Sequence, residues 1–238
     1  MNRLMHAELL KLRTTRTFGV VVGTAGAFSL ILVALGALLG KEKDPHALFT
    51  NNSITYVIVL LGAIGMTGEW RHRTITGSVL AAPDRVKLLV AKAAAYALAG
   101  VVLSLIVTVS TMVVGTVILS ANGDPTLGIG GLADVLWRNL AVAALLAPIG
   151  VGAGALIRNQ IATVVGLIAM AAVLEPAITQ VAPDVGRFGP LSGAPGGILG
   201  GPDAGALLAP GLALAVLVVW AAAAFGAAAW RLEGRDLV

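Results

Sequence analysis

The sequence predicts an all-α integral membrane protein with six transmembrane helices. Hydrophobic residues make up 58% of the chain and charged residues 12%, too little polar surface to coat a water-soluble globule. Phe18 to Gly40 carries no charge over 23 residues, about 35 Å as helix, which crosses a hydrocarbon core of roughly 30 Å with some tilt. Similar runs recur, and six of them consume about half of the 238 residues, so residues 1–238 are expected to form a single domain.

Residues 1–17 come first. Met5, Leu9 and Leu12 fall on one stripe at i, i+4, i+7, with Arg3, His6, Lys11 and Arg13 around the rest. Such a helix lies in the interface plane against anionic membrane lipid, or simply anchors the first span. The spans are expected at Phe18–Gly40, Asn52–Gly68, Val86–Ala121, Asn139–Ile157, Ile161–Ala182 and Ala206–Trp230. A cleavable signal peptide ending near Ala34-Leu35-Gly36-Ala37 is the competing reading of the first run, which is too long for an ordinary signal core. Val86–Ala121 is longer than a bilayer, so its inner end either projects from the membrane or the helix tilts. Lys87 and Lys92 near that end are expected to snorkel and stay hydrated. Gly19 with Gly23, and Gly150 with Gly154, are spaced for close helix approach.

Charge sets the orientation. With a cytoplasmic N-terminus, twelve of the 16 Lys and Arg fall on inner segments, leaving Lys41, Lys43, Arg138 and Arg187 outside, so both termini are expected in the cytoplasm. This placement accounts for the net charge of +4 without a nucleic-acid partner. The spans hold no relay of acids or histidines for a proton-driven pump and no paired aspartates for hydrolysis, so this chain is not expected to be an enzyme. The absence of cysteine rules out thiolate metal sites and disulfides, and His6, His46 and His72 are too scattered to suggest a metal cluster. Gly36 to Glu42 has the wrong glycine spacing for a nucleotide loop and no Ser or Thr after Lys41, so energy for uphill movement must come from another polypeptide.

Residues 69–85, between the second and third spans, are the most informative. Thr74 can cap a short helix to about Ala81, Pro83 stops it, and Asp84 can cap the long helix that follows. A short rigid basic helix joined at both ends to spans suits force transfer; an ordinary positively charged loop is the alternative. The order Glu69, Arg71, Thr74, Leu80, Pro83, Arg85 and Lys92 resembles the first cytoplasmic loop of the ABC type-2 transporter permeases. Ala7-Glu8-Leu9-Leu10-Lys11-Leu12-Arg13-Thr14 is similar to that family's N-terminal connecting helix, and Gly150 to Gln160 to its turn between spans four and five. The order of motifs resembles the family over essentially the whole chain, in a small Ala- and Gly-rich form that looks actinobacterial.

The resemblance implies a membrane subunit of an ABC exporter, paired with a second copy or a paralogous permease and joined to separate ATPase subunits that hold ATP and Mg. This chain would bind no cofactor itself. Glu69, Arg71, Thr74, Leu80, Pro83 and Arg85 would then form the coupling contact, and Glu8, Leu9, Lys11, Leu12 and Arg13 the connecting helix. A non-transporting membrane scaffold or sensor that anchors an ATPase is the rival reading. Toward the outer face, Glu175 lies 17 residues beyond Arg158, about 25 Å along a helix, with Pro176 next to kink it and Arg187 as a candidate partner. Whether Glu175 is buried or hydrated stays open from sequence. Residues 176–205 correspond in the family to short re-entrant helices at the outer gate, with breaks compatible at Arg187–Pro190 and Ala194–Gly197.

Overall fold

Each apolar run becomes a helix because lipid offers the backbone no partner outside its own segment. The computed structural model describes residues 2–40, 44–50, 54–72, 74, 84–200 and 207–233. In chain order the helices are α1 (Asn2–Thr14), α2 (Arg16–Leu39), α3 (Pro45–Thr50), α4 (Ile54–Arg71), α5 (Arg85–Ala121) and α6 (Ile129–Ile157). They continue as α7 (Gln160–Ala169), a π-helical turn (Met170–Leu174), α8 (Glu175–Val181), α9 (Pro183–Gly186), α10 (Gly193–Leu199) and α11 (Pro210–Glu233). Among the described residues, six stretches are long and apolar enough to cross a membrane: Gly19–Leu39, Pro45–Arg71, Arg85–Ala121, Ile129–Ile157, Gln160–Val181 and Pro210–Leu232.

The centre of the bundle is the crossing of α4 and α6, onto which α5 and α11 pack. Two backbones meet there with no room for side chains. A Cβ on Gly150 would strike the carbonyl oxygen of Val59, and one on Gly154 would come within 2.9 Å of that of Ala63. Gly150 and Gly154 thus do what their spacing predicts. Gly19 and Gly23 do not: a Cβ on either meets nothing within 4 Å. Ile58, Ala63, Leu146, Ala147 and Val151 fill the main core, while Val33, Phe49, Leu119 and Val135 form a smaller one near the start of α6.

Two differences from the sequence reading go beyond shifts of a few residues at helix ends. Helix α6 begins at Ile129, ten residues before the expected Asn139, because Asp134 and Arg138 pair across one turn instead of ending the helix. The fifth span bends at a π-turn where the Glu175 N–H bonds to the Met170 carbonyl five residues back. That widened turn accommodates Pro176, whose ring has no N–H to give and would clash with an ordinary helical carbonyl.

Candidate functional site

Two polar clusters stand at opposite ends of the bundle. At the end bearing α1, Glu8 sits on the helix face turned toward α5, one turn before Lys11. Lys92 projects from the second turn of α5 and donates to Glu8 Oε2 at 2.5 Å and to Glu69 Oε1 at 3.0 Å. Lys11 reaches the same two acids at 2.7 and 3.0 Å. Contrary to the snorkelling expectation, Lys92 is only 2% exposed. Its stem runs into the protein, between two carboxylates, and its ammonium lies 5.7 Å from the Tyr96 ring. Burial pushes the Glu8 carboxyl up, but Lys92 and Lys11 outweigh it and hold the group below its ordinary value. Burial likewise works against the Lys11 ammonium, and hydrogen bonding to Glu8 with attraction to Glu69 raises it above the usual lysine value.

The same end is tied to the remaining helices by arginines. Arg158 closes α6 in the left-handed conformation at φ 60°, a strained position for a residue with a side chain. Its guanidinium stacks 4.7 Å over Trp70 and donates to the Arg231 carbonyl at 3.2 Å. Arg85 donates to the Leu232 carbonyl at 2.8 Å, so two cations sit on the last carbonyls of α11, where the helix dipole is negative. Asn159 then caps α7 through the Ala162 N–H, and Arg71 donates to Gln160 at 3.3 Å.

Of the predicted coupling residues, Glu69 joins the buried network and Arg71 and Arg85 make these bridges. The Thr74 N–H donates to the Glu69 carbonyl at 2.9 Å. Leu80, Pro83 and the short helix expected to about Ala81 lie outside the described residues. Asp84 caps α5 through the Lys87 N–H at 2.9 Å, and that bond, with the Lys87 side chain, lowers its carboxyl pKa. In α1, Leu12 is buried and Leu9 packs on the core, while Arg13 stays exposed.

At the opposite end Glu175 is 3% exposed, which decides between its buried and hydrated readings. Its carboxylate accepts from the backbone N–H groups of Leu191 at 3.0 Å, Ser192 at 2.6 Å and Gly193 at 3.4 Å, and from the Ser192 hydroxyl at 2.7 Å. It therefore caps the start of α10 from a distant helix. Arg187 is not its ion-pair partner; that guanidinium reaches Asp184 at 3.1 Å and stacks near Phe188. The segment contains short helices, but only the Arg187–Pro190 break is seen, since Ala194–Gly197 lies inside α10.

Sequence reasoning missed the second anchor of this end. Asp134 accepts from Arg138 at 2.7 Å and from the Trp137 indole at 2.8 Å, and His46 of α3 lies 3.0 Å from it. Arg138 also donates to the Ile198 carbonyl at 2.7 Å, fastening α10 to α6. The i, i+4 spacing of Asp134 and Arg138 was the available signal.

The family model described as ABC-2 family transporter protein matches residues 4–174. No curated protein matches the chain. The match takes in α1 from residue 4, the Glu8–Lys92–Glu69 network, four whole spans and the fifth as far as its π-turn, and ends one residue before Glu175. With well over half of its length matched, this chain belongs to the ABC-2 family of transporter proteins and is its membrane-embedded permease component.

Proposed function

We propose that this chain works in the bacterial cytoplasmic membrane, with both termini inside, as half of the substrate path of an ATP-driven exporter. A second copy or a paralogous permease forms the other half, and separate ATPase subunits dock on residues 69–85. The observation that carries the reading is the buried network around Lys92. The segment between α4 and α5 leaves from Glu69 and returns at Arg85, and both flanks are tied down, Glu69 to α1 and α5 and Arg85 to the end of α11. A push on that segment is delivered to four helices at once. Helix α6, held against α4 by backbone contact, runs about 35 Å from Ile157 to Asp134 in the anchor of α10, so tilting at one end reaches the other.

The test is affinity purification of the tagged full chain from membranes of its native host, in the presence and absence of ATP. An ATPase carrying a phosphate-binding loop should co-purify with wild type, and its yield should fall at least several-fold with the Thr74→Ala/Leu80→Ala variant. Recovery of the intact chain without any ATPase would overturn the exporter reading.

A further inference from the structure

An apolar groove of about 520 Å³ runs between α1, α2 and α5, within the roughly 300–1,000 Å³ of ordinary small-molecule sites. Its α5 wall is the stripe Leu98, Val102 and Ile106, spaced at i, i+4, i+8 and covering about 12 Å along the helix. All three are between 45% and 56% exposed, so the bundle leaves this stripe open along the span. On α2 the floor is Gly19 and Val22, and Gly19 leaves the groove wide, since a Cβ there meets nothing within 4 Å. Leu9 and Leu12 close the end beneath α1.

Arg13 stands at that same end. Unlike Lys11 and Lys92, it makes no ion pair or hydrogen bond among the described residues, so its charge has no counterion among them. An uncharged slot lying along the membrane axis with one unpaired guanidinium at its mouth matches the two parts of a single molecule. We propose that the groove is a binding site for an anionic phospholipid of the leaflet that α1 faces, with one acyl chain against Leu98, Val102 and Ile106 and the phosphate on Arg13. Hydrocarbon in the slot removes the exposed stripe from headgroup and water contact, and a guanidinium matches phosphate geometry in two parallel hydrogen bonds. A soluble phosphate ester would leave the apolar walls uncovered. A zwitterionic lipid would bring its own cation beside Arg13.

The test is native mass spectrometry of the purified full-length protein after delipidation, titrated with phosphatidylglycerol, phosphatidylcholine or glycerol phosphate. Wild type should retain one phosphatidylglycerol per chain in preference to phosphatidylcholine, and glycerol phosphate should not compete. Arg13→Gln should reduce that preference about fivefold, the loss of one interfacial cation. Gly19→Leu puts a side chain into the groove from a position where a Cβ meets nothing within 4 Å, and should reduce retention about tenfold or more. Gly226→Leu adds the same side chain at another open position on α11 and should change nothing. Equal retention of both lipids by wild type, or wild-type retention by Gly19→Leu, would overturn the site. So would equal losses for Gly19→Leu and Gly226→Leu, which would mean nonspecific lipid contact only.

Discussion

Lys92 stands between Glu8 and Glu69 with almost no water, so each of its two bonds compensates a desolvated charge. Removing one member of such a set costs more than removing all of it. Lys92→Met should destabilise the chain by about 3–5 kcal/mol, read from denaturant unfolding in detergent, because two acids remain buried with Lys11 alone. The charge-free Glu8→Gln/Glu69→Gln/Lys92→Met variant should recover most of that loss; no recovery would show that the network is not the cause. Glu175 poses the same question at the other end. Glu175→Ala leaves three backbone N–H groups without an acceptor and should cost about 3 kcal/mol or more, with Glu175→Gln milder because its carbonyl still accepts. Arg187→Ala removes an exposed pair and should change stability by under about 1 kcal/mol. Hydrogen exchange at Leu191, Ser192 and Gly193 reports the difference, and equal protection in all three variants would contradict the cap. Glu175 was legible as a candidate because charge is rare in the spans, and Glu8 and Glu69 through the motifs that resemble the family. Their partners were not, since Glu8 and Lys92 are 84 residues apart and Glu175 meets main-chain groups that every residue carries.

Helix α1 joins the bundle through charge as well as through Leu12, which makes its docking dependent on pH. The Glu8 carboxyl lies below 4.5 when docked, so its contribution is complete above about 4.5 and is lost as pH falls through the lower docked value. Lys11 lies above 10.5 when docked, so its contribution is complete below about 10.5 and is lost as pH rises through the higher docked value. A spin label at exposed Leu10 should therefore keep constant mobility between those limits and loosen outside them; a transition centred near neutrality would contradict the assignment. The six spans were readable as helices, because apolar length in lipid admits little else, whereas the short α3 was not foreseen. Boundaries were read wherever charge marked a true end, as at Arg85 and Ile157, and misread at α6, where Asp134 and Arg138 neutralise each other inside the helix. The π-turn was half legible: Pro176 announced a break but not its kind.

For the whole molecule, the asymmetric distribution of Lys and Arg predicts which end is cytoplasmic. Tags at both termini should be accessible only from the cytoplasm and a tag at Asn122 only from outside, as tested by membrane-impermeant labelling; labelling of Asn122 from inside alone would reverse the assignment. Six spans and the family resemblance were both in the sequence, since the order of weak motifs was informative where each motif alone was not. The packing that turns them into one machine was not, because Gly150 against Val59 and Arg85 against Leu232 join residues distant in sequence. The central claim is that force from an ATPase enters through the Lys92 network. Its most direct test is the ATP hydrolysis rate of the co-purified complex in nanodiscs, with the wild-type chain or the charge-free Glu8→Gln/Glu69→Gln/Lys92→Met chain. The wild-type chain should stimulate its ATPase above the rate of the isolated ATPase, and the charge-free chain should remain assembled with it yet lose most of that stimulation. Full stimulation by an assembled charge-free complex would contradict the claim.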